Sequence, residues 1–320
     1  MNTRNFLIVV ISILGGVASY AQPNLLNAKI PEEIGLKSAA QLISDNDKPL
    51  EYGYVDDRDI LMGKTVWEII DLSERINFPL YFPVDTANIG SDRRSLYDVL
   101  TKAIRNGEIT EVYSDSYFNT KKTFKDIKAS LMHISLSNEG REQLNVLGLN
   151  DTFKDLNPDQ ISNEEAEKLV SNGISNEYIL KSDLTAQDVT QYKIKGYWYF
   201  DKRQSELKYR LLGICPVTPD VYTMNSEEKD YIELFWVFFP SSRDVLHESK
   251  AFNDKNSAMP VSFDQILNSR HFNAVIYQEE NVYGDRAIVG YMKDNAQNQL
   301  LESERVKEKI RDFEEDMWNY

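Results

Sequence analysis

The side chains best suited to nucleophilic or metal chemistry in this 320-residue sequence are three histidines, His133, His247 and His271, and a single cysteine, Cys215. The histidines lie far apart and lack the spacing of a metal triad. There is no HExxH zinc helix, Walker phosphate loop, GxGxxG turn or GxSxG nucleophile elbow. Cys215 ends the apolar run Leu211-Leu212-Gly213-Ile214-Cys215 with no basic neighbour to stabilise a thiolate, so it reads as a small buried hydrophobe. Asp56-Asp57-Arg58-Asp59 gathers three acids around one arginine. A calcium loop alternates its oxygen ligands and carries a glycine at its turn, and this run does neither. It reads as a turn whose carboxylates cap backbone amides or pair with Arg58. With 51 acidic residues, carboxylate pairs at some spacing are inevitable and do not by themselves signal acid–base catalysis. The residues therefore point to no catalytic group, no cofactor and no metal.

The formal charge is −15, which argues against a nucleic-acid or anionic-membrane surface and permits an acidic face meeting a basic partner. Arg4, the apolar run Phe6 to Val17 and the small residues Ser19 and Ala21 before Gln22 read as a secretory signal over residues 1–21. About a dozen apolar residues are too few to span a bilayer core, which needs roughly 20. No cysteine follows the run to accept a lipid. The expected product is exported, soluble and free of intramolecular disulfides.

Positioning elements follow from capping grammar and periodicity. Thr65 to Pro83 reads as a capped helix carrying Val66, Ile69, Ile70 and Ile76 on one face, a break, and a short edge strand Leu80-Tyr81-Phe82 bracketed by Pro79 and Pro83. The same opening, a hydroxyl residue followed three positions later by an acid or amide, returns at Ser95, Thr123, Ser162 and Ser262. Arg58 to Leu61 and Arg243 to Leu246, with Arg75 to Phe78 and Arg270 to Asn273, suggest either a faint internal duplication or chance similarity. Tyr52 to Val55 reads as a short strand. A helix from Ser95 to about Arg105 is closed by Gly107 and followed by a strand from Ile109 to Tyr113.

From Thr190 the period changes to two. Tyr192 to Tyr199 and Leu207 to Gly213 read as strands joined by the turn Asp201 to Gln204, with a third strand over 231–239. Asp244 onward returns to the capped-helix pattern. Val275 to Tyr277 and Arg286 to Tyr291 read as closing strands, and Leu300 to Tyr320 as an amphipathic helix with Leu301, Val306, Ile310, Phe313 and Met317 or Trp318 on its apolar side. The expected fold is α+β, an antiparallel sheet meander with short capped helix–strand units packed on it and a C-terminal amphipathic helix.

The organisation along the chain is then a signal peptide (1–21), an extended arm (22–50), an N-terminal α+β part (51–148), a polar helical connection (149–189), an antiparallel β-rich part (190–299) and the C-terminal helix (300–320). Three places invite a partner. The arm lacks a periodic apolar face and is either a flexible terminus or a segment ordered on binding. Tyr113, Tyr117 and Phe118 form an aromatic loop that is either core rim or anchor. Phe313 and Trp318 lie on a helix that docks on its own domain or on another chain.

Six stretches resemble the GldN/PorN family of gliding-motility and type IX secretion proteins, which includes the paralogue GldO. They are Tyr52 to Asp59, Lys64 to Pro83, Asp92 to Asp98, Ile109 to Phe118, Gly196 to Arg203 and Phe313 to Trp318. The resemblance implies a non-catalytic structural protein of the periplasm, peripherally associated with the inner face of the outer membrane. It also implies a large ring formed with a GldK/PorK-type outer-membrane lipoprotein, with self-association in the ring and contact to the GldM/PorM-type inner-membrane motor protein. The alternatives are a periplasmic hydrolase using unrecognised carboxylates, which needs a deep pocket, and a soluble ligand-binding chaperone, which needs an apolar cavity.

Overall fold

Threonine, valine, tryptophan and isoleucine favour the pleated, half-buried environment of a sheet, and in the computed structural model Thr65 to Ile70 belong to β1 (Ile60–Asp71). The structure describes residues 48–85, 93–123, 132–149, 152–153, 156–158, 161, 163–219, 231–253, 261–293 and 295–318. The helix expected from Thr65 is thus a strand. Its spacing fits a helix and a strand equally, and pairing with β6 (Gln191–Asp201) along almost its whole length decides the outcome. Glu68, which looked like the acid of a capping box, is instead fully buried between Val66 and Ile70. The expected strand at Leu80 is also reversed. Pro79 occupies the first turn of a short helix, α1 (Phe78–Tyr81), where its missing N–H costs nothing.

Among the described residues, eight strands form one antiparallel sheet, in the order β12 (Val275–Glu279), β1, β6, β7 (Glu206–Pro219), β9 (Trp236–Phe238), β2 (Val112–Tyr113), β3 (Lys121–Lys122), with β8 (Tyr231–Glu233) beside β7, while β10 (Lys250–Ala251) and β11 (Val261–Ser262) pair apart from it. The long hairpin of β6 and β7 (Glu206–Pro219) forms as expected. The third strand is divided into β8 (Tyr231–Glu233) and β9 (Trp236–Phe238). Pro240 then starts α5 (Phe239–Glu248) earlier than the Asp244 expected, again from the first helical turn. Val112–Tyr113 is β2, shorter than expected, Lys121–Lys122 is β3, and Val275–Glu279 is β12. Arg286 to Tyr291 is not a strand: Ile288–Gly290 is a 3-10 turn. Tyr52 to Val55 joins no ladder either. It is held by side chains, with the Tyr52 ring 4.5 Å from the Arg210 guanidinium and 4.1 Å from that of Arg243, while its hydroxyl donates to Asn268 Oδ1 at 2.7 Å.

Two caps form as read. Ser95 Oγ accepts the Asp98 N–H at the start of α2 (Leu96–Asn106), which Gly107 closes at φ 75°, and Ser262 Oγ accepts the Gln265 N–H at the start of α6 (Phe263–Asn268). The duplication does not hold: Arg58 to Leu61 passes from a 3-10 turn into β1, whereas Arg243 to Leu246 lies inside α5. The acidic turn does cap itself, with Asp56 accepting from Arg58 N–H and pairing with its guanidinium at 2.9 Å.

The main core lies where α2, α5 and α6 cover Ile70, Tyr192, Ile194, Leu211 and Ile214 of the sheet. Farther along β1, the C-terminal helix α7 (Ala296–Trp318) sets Val306 and Ile310 on Val66 and Ile276. Leu301, expected on that buried side, is 62% exposed; Ser303 is buried there instead and its Oγ accepts the Ile276 N–H of β12 at 2.9 Å. Trp67, Cys215, Val217 and Trp236 form a third cluster under the loop after β2. A separate core is built from β4 (Met132–Leu136), α3 (Asn138–Val146), α4 (Asn163–Ser171) and β5 (Ile179–Asp183), with Leu149, Phe153 and Leu156 packed on it. The signal segment, the arm to residue 47, the residues that follow Thr123 in the unit it was expected to open, Ser162 and the side chains of His133 and Trp318 lie outside the described residues.

Candidate interaction surface

The loop after β2 is shaped by one carboxylate. Asp115 Oδ1 accepts the N–H groups of Tyr117 at 2.8 Å and Asn119 at 3.4 Å, and Oδ2 accepts that of Thr120 at 3.2 Å. Burial acts to raise its pKa, but the backbone donors prevail and hold the carboxyl below its ordinary value. Phe118 adopts φ 60°, a costly conformation for a bulky residue. Its ring packs edge-on against Tyr113 at 5.2 Å and Phe238 at 5.3 Å, and a Cβ on Gly213 would stand 2.6 Å from it. Tyr113 and Phe118 therefore line the core, while Tyr117 is 46% exposed.

Lys195, reaching from β6, pins this loop. Its Nζ donates to Ser116 O at 3.0 Å and lies 4.8 Å from the Trp67 ring centroid and 4.7 Å from that of Tyr117. Burial lowers the Lys195 pKa against the opposing fields of Asp285, Glu280 and Asp115.

Tyr117 joins the loop to a second one. Its hydroxyl donates to Asp285 Oδ2 at 3.2 Å, in the connection that follows β12. There the Asn281 amide organises the chain: Oδ1 accepts from Tyr283 N–H at 3.0 Å and Arg286 N–H at 3.3 Å, and Nδ2 donates to Glu279 O at 3.1 Å and Arg286 O at 3.2 Å. Gly284 and Asp285 take positive φ, which glycine and aspartate accommodate. The tightly bonded turn holds Val282 93% exposed and Tyr283 77% exposed. Arg286 lies over the rings of Tyr283 and Tyr291, and the Tyr291 hydroxyl donates to Glu302 Oε1 of α7 at 3.0 Å. Val289, Leu300 and Leu301 are exposed along the same segment. An apolar ridge of exposed side chains thus follows β12, with Val282 and Tyr283 at its crest, and exposed apolar side chains of this kind mark contact surfaces.

Sequence reasoning placed a strand across part of this ridge and singled out neither Val282 nor Tyr283. The signal was the Asn-Val-Tyr-Gly-Asp run, a turn composition enclosing two apolar residues that a tight turn cannot bury. Phe313 is half-buried on α7, its ring 6.0 Å from that of Phe200.

The charged groups inside the fold are bound to one another. Glu68 accepts from Nη1 and Nη2 of Arg270, each at 2.8 Å, and Asp264 accepts from Nε and Nη2 of Arg243 at 2.7 and 3.1 Å. Cys215 is fully buried, and that burial pushes its thiol pKa well up. Among the described residues, no group of three or more His, Cys, Asp or Glu is placed to hold a metal ion, and no helix is long and apolar enough to cross a membrane.

A search of curated proteins returns no match. The family model described as gliding motility associated protein GldN matches residues 55–319, which include every element from β1 to α7. The chain belongs to the GldN family of gliding-motility-associated proteins.

Proposed function

We propose that the chain is a structural periplasmic component of the gliding-motility and type IX secretion machinery, peripherally associated with the inner face of the outer membrane. In this reading it forms a large ring with a GldK/PorK-type outer-membrane lipoprotein and contacts a GldM/PorM-type motor protein, and it carries out no catalytic step. Family membership supports the gliding role. The observation that carries the assembly role is the ridge, where a hydrogen-bonded turn keeps Val282 and Tyr283 in solvent at a conformational cost already met in the free chain. Tyr117 stands beside it, and Trp318 remains a candidate contact at the far end of α7.

The test is affinity purification of the exported chain from gently solubilised envelopes, with mass spectrometry and sizing, for wild type and Val282→Asp/Tyr283→Asp. The expected wild-type result is recovery of an outer-membrane lipoprotein and a motor protein in a particle far larger than one chain. The variant is expected to lose at least one of them at an unchanged Tm. A wild-type chain recovered alone overturns the reading, and a variant that keeps every partner removes the ridge from it.

A further inference from the structure

β1 extends past the end of β12. The two strands pair from Val66 to Ile69, and Glu280 N–H adds one bond to Thr65 O at 2.9 Å. Beyond that point, Ile60 to Lys64 continue along β6 on one side, and among the described residues no strand pairs along their other side. The Thr65 carbonyl faces β12, so strand periodicity turns the N–H and C=O of Gly63 toward the same outer side. Along β12 this border is bonded to α7 instead: Ser303 Oγ accepts the Ile276 N–H, and Lys307 Nζ donates to Ala274 O at 3.0 Å.

Between the open stretch of β1 and α7 lies a groove of about 520 Å³. Buried Val306 and Ile310 and half-buried Met62 and Phe313 give it apolar walls. Glu308, Asp312 and Asp316, four residues apart on one helical stripe, line the same groove and have no cationic partner among the described residues. The groove's cations are mostly engaged, Arg305 with Glu302 and Lys64 with Glu279, leaving Lys309. At its border Glu279 Oε2 is buried with Lys64 Nζ 3.0 Å away as its ion-pair partner, and the same ammonium donates to Glu280 O at 2.6 Å.

We propose that this groove binds an extended segment of a partner polypeptide bearing lysine or arginine. The segment adds as a strand to the outer edge of β1, sets alternate apolar side chains against Val306, Ile310 and Phe313, and brings its cations to Glu308, Asp312 and Asp316. The inference rests on the assembly role above and specifies one of its contacts. Charge favours a separate partner over a second copy. The chain is strongly acidic, and its own lysine-bearing edge strand β3 has both cations engaged, Lys121 with Glu111 and Lys122 with Leu234 O.

The probe is a labelled seven-residue peptide alternating valine and lysine, compared with the same peptide carrying glutamate for lysine, in anisotropy titrations with the folded chain. The lysine peptide is expected to bind at least about tenfold more tightly, and Asp312→Lys/Asp316→Lys to remove at least about tenfold of that affinity at an unchanged Tm. Strand addition uses alternate main-chain groups, so N-methylation of one alternating set should abolish binding while the other set is tolerated. Equal affinity for the two peptides, indifference to the double substitution, or equal behaviour of the two methylated sets overturns the proposal. Sedimentation without peptide supplies a further arm: self-association that the double substitution removes makes a second copy the occupant and overturns the assignment to a separate partner. In the envelope purification, loss of partners from wild type sinks the assembly role, whereas Asp312→Lys/Asp316→Lys retaining every partner sinks the groove alone.

Discussion

At the scale of single residues, removing one partner of a buried charge pair is among the costliest changes the fold can meet. Glu68 is fully buried on the inner face of β1, and its two oxygens accept a fork of N–H groups from Arg270 and a third bond from the Tyr209 hydroxyl at 3.2 Å. The guanidinium lies 4.1 Å from the Tyr209 ring centroid, 5.2 Å from that of Trp198 and 5.3 Å from that of Phe272, so lysine is no substitute for its planar fork. Arg270 also adopts φ 52°, a conformation these bonds must hold. Removing the arginine strands an uncompensated buried carboxylate. Arg270→Met should destabilise the chain by about 3–5 kcal/mol, measured by urea unfolding. Arg58→Met, which breaks an exposed pair, should leave the midpoint in place. Equal shifts in the two variants would show that the buried pair contributes no more than a surface one.

At the scale of elements, caps separate what could be read from what could not. Ser95 and Thr65 open with the same grammar, but only Ser95 caps a helix, because the residues after it bury one helical face while those after Thr65 find a strand partner in β6. Ser95→Ala should therefore cost about 1 kcal/mol of stability, and Thr65→Ala should show no capping loss. Similar losses at both positions would contradict this. The α+β class, the β6–β7 hairpin and α7 were legible because their patterns are long. β1 and α1 were exchanged because a short apolar run fits both periods, and because proline marks a helix start as well as a strand edge. The ridge was hidden for another reason: its exposure is set by Asn281 and Asp285 bonding back to the chain, which no hydrophobic pattern encodes.

The ridge's tie to α7 is also an element-scale device, and it titrates. Partial burial and the Glu302 carboxylate push the Tyr291 phenol up to about 12. The Arg305 bond pulls the Glu302 carboxyl down, against the opposing effect of burial. A raised phenol pKa contributes stability that is complete below its unfolded value near 10 and is lost as pH rises through 12. A lowered carboxyl pKa contributes stability present above its ordinary value and lost as pH falls through the lowered one. The clasp between the ridge and α7 should thus hold across neutral pH and open at both extremes. Ultraviolet titration of wild type against Tyr291→Phe should assign the missing phenol to about 12, and Glu302→Gln should move it toward 10. A Tyr291 phenol titrating near 10 in wild type would show that the clasp is not formed.

At the scale of the molecule, stability is divided among cores of unequal size. β6 and β7 run through the main core and also contribute to the cluster under α7, and β7 adds Cys215 and Val217 to the cluster under the loop after β2, so opening either strand exposes side chains from more than one layer. Among the described residues, the β4–β5 ribbon packs on a small core of its own, Ile134, Leu136, Leu144, Ile161, Ala166, Leu169, Ile174 and Ile179, and it forms a two-stranded sheet apart from the main one. Leu180 on this ribbon, with Val146 and Val170 on its helices, is exposed, so less apolar surface is withdrawn from water there. A two-stranded ribbon with little buried surface opens without unfolding the rest. Native-state hydrogen exchange should therefore show the amides of Ile134 to Leu136 and Ile179 opening at a lower free energy than those of Tyr192 to Ile194 and Leu211 to Ile214. A modest denaturant concentration should abolish the protection of the ribbon while β6 and β7 still exchange only through global unfolding. If all these amides converge on one opening free energy at every denaturant concentration, the small core is coupled to the large one and the chain unfolds as a single cooperative unit.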